Sequence, residues 1–105
     1  MSLKNIKFNT ISSDNNYEYV GSADFNKDLI TFKDKDSYVI DKTVKRIVKN
    51  TNEIVLDLKD KKIFLEEYKY SMDIIINKAI FDNNSIDIEY VLGDNIIKIR
   101  MIEVD

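Results

Sequence analysis

Apolar and polar positions alternate most regularly in the C-terminal stretch from Ser85 to Val104. Every second residue is apolar up to Leu92, and the alternation resumes beyond Gly93-Asp94. A period of two is typical of a strand with one buried face. Glycine at the first position of a two-residue loop favours a type II′ turn, whose twist matches that of the flanking strands. The stretch therefore predicts a β-hairpin in which Leu92 lies opposite Asn95.

Counting outward from this turn gives the register of the hairpin. The apolar positions of the two strands coincide, in the pairs Tyr90–Ile97, Ile88–Ile99 and Ile86–Met101. The opposite face then carries two pairs of unlike charge, Glu89–Lys98 and Asp87–Arg100. A slip of one residue would turn the lysine and the arginine toward the apolar row. Hydrophobic pattern and charge therefore predict the same register.

Shorter alternating stretches, separated by turn-forming residues, cover the rest of the chain. They recur about every 8–12 residues, a spacing typical of all-β sandwiches and barrels. The predicted strands outside the hairpin span residues 4–12, 17–25, 29–32, 38–40, 53–58, 63–65 and 69–81. We expect residues 1–105 to form one all-β domain, an antiparallel meander of about eight to ten strands closed into a barrel without exposed edges.

Three further features of this meander follow from particular residues. Gly21 lies in the middle of a predicted strand and indicates a bulge or a close approach. The turn after residues 53–58 is expected to pair Leu58 with Ile63 and Leu56 with Leu65. Residues 41–50 have helical spacing of apolar residues, but they are short and rich in β-branched side chains, so we predict a strand there.

The strand predicted over residues 69–81 is apolar on both faces. If Phe81 pairs with Ile86, strict alternation places Asn77 beside Tyr90 on the inner face. The same alternation turns an apolar row outward beside the neighbouring strand, comprising Met72, Ile74, Ile76 and Val91. This row predicts either a homodimer interface or a surface covered by residues 101–104 or by the N-terminal strand.

Several of these segments resemble the YwiB-like family of bacterial proteins. The resemblance is carried by Gly21-x-Ala23, Leu29-Ile30-Thr31-Phe32-x-Asp34, Tyr68-Lys69-Tyr70-Ser71 and Ile86-Asp87-Ile88-Glu89-Tyr90-Val91-Leu92. It implies a calycin (lipocalin-like) β-barrel. No catalytic residues are established for that family, so the resemblance implies a fold and no activity.

The composition argues against most kinds of catalysis. The chain has no histidine and no cysteine, which removes the commonest general base, thiolate nucleophiles and the usual transition-metal ligands. Only two glycines are present, so a glycine-rich phosphate loop is excluded. We therefore predict a protein that is not an enzyme, with no catalytic residues, no metal site and no cofactor.

The charge distribution argues against nucleic acid and membrane as partners. The net charge is −3, although the segment with Lys42, Lys45, Arg46 and Lys49 is locally basic. On an acidic protein such a segment is more often a protected strand edge than a nucleic-acid site. No apolar run approaches the roughly 20 residues of a membrane helix, and the N-terminus lacks the apolar core of a signal peptide. A cytoplasmic location is expected.

The residues expected to face the barrel interior suggest a binding function. They include three tyrosines and one amide, namely Tyr17, Tyr19, Tyr90 and Asn77. Such a lining could hold a small amphipathic ligand. The simpler interpretation is a filled core in which Asn77 bonds the Tyr90 hydroxyl or a water. The sequence thus predicts a non-catalytic binding or accessory domain, or alternatively a structural protein that self-associates through its outer apolar strand.

Overall fold

The computed structural model describes residues 2–104, which form eleven antiparallel strands in one sheet. The strands are β1 (Ser2–Ile11), β2 (Asn16–Asn26), β3 (Leu29–Lys33), β4 (Ser37–Asp41), β5 (Arg46–Lys49), β6 (Ile54–Asp57), β7 (Lys62–Leu65), β8 (Tyr70–Asp73), β9 (Ile75–Phe81), β10 (Ser85–Leu92) and β11 (Asn95–Val104). The predicted all-β meander is confirmed, with eleven strands instead of eight to ten.

The sheet curls into a nearly closed barrel because the first and last strands pair. β1 lies between β2 and β11, and the complete order is β8-β7-β6-β5-β4-β3-β2-β1-β11-β10-β9. The two strands at the ends of this order, β8 and β9, follow one another in the chain with only Ile74 between them. The stretch predicted as one long strand therefore pairs with β7 through its first half and with β10 through its second.

The strands from β5 to β8 are four residues long and are separated by four-residue turns. Lys45, Lys61 and Lys69 each end such a turn in the left-handed region, with φ of 55–57°. In residues 41–50, the Asp41 carboxylate accepts hydrogen bonds from the backbone N–H of Thr43 at 3.0 Å and of Val44 at 3.3 Å. The helical spacing there thus corresponds to a turn, and the predicted strand is confirmed for Arg46–Lys49.

The C-terminal hairpin has the predicted register throughout, including Leu92 opposite Asn95. Gly93 has φ of 61° whereas Asp94 is not left-handed, as a type II′ turn requires. Lys98 Nζ lies 3.9 Å from Glu89, and Arg100 Nε lies 3.4 Å from Asp87. Gly21 is confirmed as a site of close approach, because a Cβ there would lie 2.6 Å from the Tyr19 hydroxyl.

The predicted pairing of the β6–β7 hairpin is wrong by two residues. Leu56 pairs with Ile63, and Asp57 pairs with Lys62 at the base of the turn. The Asp57 carboxylate accepts the backbone N–H groups of Lys59 and Asp60 at 3.1 and 3.0 Å, which stabilises a turn that begins one residue earlier than expected. A two-residue slip leaves every side chain on its predicted face.

A β-bulge in β9 overturns the predicted facing of the residues before it. Lys78 lies opposite Glu89 as expected, but the next residue of β10, Tyr90, lies opposite Ile76. Asn77 is the extra residue, and it projects outward with its amide 3.0 Å from Glu89. The bulge reverses the alternation, so Ile74 turns inward and is only 6% exposed.

The core is divided between aliphatic and aromatic side chains. Isoleucines 6, 30, 40, 86 and 88 are among the most deeply buried residues. Around Phe8, the rings of Phe32 and Tyr38 lie 5.0 and 5.1 Å from its centroid. Aromatic rings from β1 to β4 therefore pack together on one side of the barrel.

Candidate ligand-binding cavity

A partly open cavity of about 200 Å³ lies inside one end of the barrel. Its wall is mainly apolar and comes from six strands, with Phe8, Thr10, Tyr38, Ile47, Lys49, Ile54, Leu56, Tyr90, Ile97 and Ile99 as its lining residues. A larger hollow of about 530 Å³ lies over the turn at Phe81–Ser85, but it is shallow and polar. The cavity inside the barrel is the better candidate because it is the more enclosed of the two and its wall is apolar.

Two tyrosines, Tyr38 and Tyr90, line this cavity. Tyr90 is 5% exposed and Tyr38 is also buried. Neither hydroxyl has a hydrogen-bond partner among residues 2–104, and neither is one of the buried unpaired atoms there. Both hydroxyls therefore reach accessible space. Burial raises the pKa of Tyr90 to about 12, and burial followed by the charge of nearby Asp36 raises the pKa of Tyr38, so both are neutral donors at neutral pH.

Lys49 is the charged group of the cavity wall. It lies directly across the strands from Tyr38 on one side and Ile54 on the other. Its ammonium is 3.4 Å from the Asp36 carboxylate. The Asn50 amide donates to the other oxygen of Asp36 at 2.7 Å, and this bond, with the smaller effect of Lys49, lowers the pKa of Asp36. The lysine is therefore held at the cavity by an ionised partner.

Two predicted ligand-binding residues, Tyr17 and Tyr19, face inward as expected but do not line the cavity. Tyr17 stacks on Tyr38 at 6.1 Å and donates its hydroxyl to Asp34 at 2.9 Å; burial and this bond raise its pKa. Tyr19 stacks on Phe32 at 4.9 Å and donates to the Ser22 carbonyl at 2.7 Å. Both hydroxyls are already satisfied within the protein.

The other two predicted ligand-binding residues, Tyr90 and Asn77, lie on opposite faces of the sheet. Tyr90 lines the cavity as predicted. Asn77 does not lie beside it, because the bulge places Asn77 on the outer surface with Glu89. The hydrogen bond expected between Asn77 and the Tyr90 hydroxyl is therefore wrong. The hydroxyl instead remains available to a ligand.

Sequence reasoning missed Lys49 and Tyr38 as cavity residues. Both alternate with buried isoleucines, since Lys49 follows Ile47 by two residues and Tyr38 precedes Ile40 by two. A lysine in an otherwise apolar inward row was therefore a usable signal. It was obscured because residues 41–50 fit a helical pattern as well as a strand.

The predicted outer apolar row is wrong for three of its four residues. Ile74 belongs to the core, and Met72 and Ile76 pack against it from the inside. The bulge turns all three toward the interior of the barrel. Val91 does face outward, between Ile75 and Ile96 on the neighbouring strands. These two neighbours are 66% and 53% exposed.

The basic segment is largely paired within the barrel. Lys42 donates to the Asp82 carbonyl at 2.7 Å, and Arg46 lies 3.1 Å from Asp57. Within residues 2–104, no cluster of three or more acidic side chains is placed to hold a metal ion. The described part of the chain also has no helix long and apolar enough to cross a membrane.

Comparison with known proteins adds no relative. No family model, no curated protein and no solved structure matches the chain. The resemblance to the YwiB-like family therefore has no support beyond the segments that suggested it. What the chain can do has to be inferred from the cavity itself.

Proposed function

We propose that this protein is a non-catalytic binding domain that holds a small amphipathic molecule in the barrel cavity. The observation that carries the proposal is an apolar cavity lined by Tyr38 and Tyr90, whose hydroxyls have no hydrogen-bond partner among residues 2–104. Apolar walls with a few polar groups are the usual composition of ligand sites.

The volume limits the size of the ligand. An apolar protein cavity of about 150 Å³ is known to hold benzene. Pockets for drug-sized molecules have roughly 300–1,000 Å³. At about 200 Å³, this cavity suits one aromatic ring or a short alkyl chain, with a polar group directed at the tyrosine hydroxyls.

A neutral probe, 1-hexanol, tests this function without invoking charge. In an NMR titration we expect saturable shifts of the backbone amides of Thr10, Lys49 and Ile97, which line the cavity. Ile54→Trp should abolish them because indole fills the cavity. The matched control is Val55→Trp, one residue along β6 on the opposite face, which should leave them unchanged.

Thermal unfolding of both tryptophan variants would show that each is folded, since overpacking costs typically about 1–3 kcal/mol. Shifts that do not saturate, or that persist in a folded Ile54→Trp variant, would contradict binding in the cavity.

Self-association is a second candidate function, on a corrected set of residues. Ile75, Val91 and Ile96 lie side by side on three adjacent strands, and β9 has no strand on its other edge within residues 2–104. A second copy of the chain could cover this row. We expect Ile75→Thr/Ile96→Thr to convert a dimer to a folded monomer in sedimentation velocity. A parent protein that sediments as a monomer would rule this candidate out.

A further inference from the structure

Lys49 is an unusual residue for the position it occupies. It follows Ile47 in the inward row of β5, and among the described residues that line the cavity it alone is charged. Its side chain is 29% exposed. A partly desolvated ammonium is costly unless an anion compensates it. Asp36 supplies one such contact from outside the cavity lining.

The ammonium retains capacity for a further anionic partner. A lysine side chain has three N–H donors, and the 3.4 Å contact to Asp36 engages the group from one side. Tyr38 and Tyr90 line the same cavity, and their hydroxyls have no hydrogen-bond partner among residues 2–104. Three side chains that carry donors therefore line a single apolar cavity. Among the described residues, no acidic side chain lines it to receive a cation.

We infer that the ligand is a monoanionic amphipathic molecule, a carboxylate on a short apolar body, whose head group binds Lys49 with help from the two tyrosine hydroxyls. The inference rests on the proposed binding function and adds the charge of the ligand. The apolar body would lie against Ile47, Leu56 and Ile99, deeper in the wall. An ammonium ligand of the same size would be repelled by Lys49.

Three probes with the same six-carbon chain isolate the effect of charge: hexanoate, 1-hexanol and hexylamine. We expect hexanoate to bind the parent protein about tenfold or more tightly than 1-hexanol, the advantage of a charge-assisted hydrogen bond. Hexylamine should bind no more tightly than 1-hexanol. Dissociation constants would come from NMR titrations at neutral pH and low salt, because screening weakens an exposed contact.

Variants of Lys49 test whether its side chain causes the preference for hexanoate. Lys49→Met should remove the preference for hexanoate while 1-hexanol still binds, which also shows that the variant is folded. Lys49→Arg should restore the preference. The control is Lys62→Met on the outer surface, whose lysine pairs with Asp73 at 3.6 Å much as Lys49 pairs with Asp36. This control should keep the preference.

Asp36→Asn provides an independent test in the opposite direction. Asp36 competes for the Lys49 ammonium, so its neutralisation should tighten hexanoate binding severalfold and leave 1-hexanol unaffected.

If 1-hexanol binds but hexanoate binds no better, the inference fails and the binding function stands. If neither binds, the proposed function fails. A preference that survives Lys49→Met would assign the anion to another group and overturn the inference.

Discussion

Replacing Ile74 by alanine is expected to lower the free energy of unfolding by about 2–5 kcal/mol, the usual cost of truncating a buried isoleucine. Ile74 is 6% exposed and packs in the core. The backbone N–H of residue 74, which bonds the Lys61 carbonyl at 3.0 Å, is kept in the variant. The loss would therefore measure side-chain burial rather than a broken turn.

Ile75 provides the matched control because it is the same residue type one position along the chain. It is 66% exposed, so Ile75→Ala should change the free energy of unfolding by less than about 1 kcal/mol, the span of strand propensity. Urea denaturation of both variants measures the contrast. Equal losses, or a larger loss at Ile75, would show that β9 alternates without the bulge at Asn77.

Raising the pH from well below 10 to well above 12 is expected to remove up to about 2.7 kcal/mol of stability through Tyr90 alone, at about 1.36 kcal/mol for each unit of pKa shift. Burial raises the pKa of Tyr90 to about 12 in the folded protein, from an ordinary value of 10.0. Between these values the unfolded chain releases the phenolic proton while the folded protein holds it. The stabilisation is complete below pH 10 and is lost as the pH rises through 12.

The Tyr90→Phe variant separates this contribution from other alkaline effects. Lysine deprotonation weakens ion pairs in parent and variant alike, and the raised pKa values of Tyr17 and Tyr38 act in both. The difference between the two proteins therefore isolates Tyr90. We expect urea-unfolding free energies to fall less steeply above pH 10 in Tyr90→Phe, with pH 8 as the reference. Parallel curves would mean that the Tyr90 hydroxyl is freely solvated.

The hairpin at the C-terminus shows how much the sequence could determine. Its turn is two residues long, Gly93 supplies the positive φ, and alternation then assigns every residue of β10 and β11 to a face. All of these interactions are local in the chain. Together with the regular spacing of turns, they were sufficient to predict an all-β meander and the inward facing of Ile88, Tyr90 and Ile99.

The bulge at Asn77 was decided by the tertiary structure. The sequence of β9 is consistent with either set of alternate residues facing inward, because apolar residues occupy both faces. The choice depends on β10, where Tyr90 pairs with Ile76 instead of Asn77, and on the burial of Ile74 in the core. The alternation of a single strand does not determine how that strand pairs with its neighbour or how its side chains fill the core.

The cavity likewise exists only in three dimensions. Alternation placed Tyr90 on the inner face, but it could not show which inward side chains meet. Phe8 and Tyr38 form part of the cavity wall, and Lys49 joins them because β4, β5 and β6 pair in a register that sets Lys49 between Tyr38 and Ile54. Local pattern thus determined the strands and most of their faces. Packing between strands distant in the chain determined the bulge, the cavity and its charge, because packing depends on the volumes of side chains that the sequence does not place side by side.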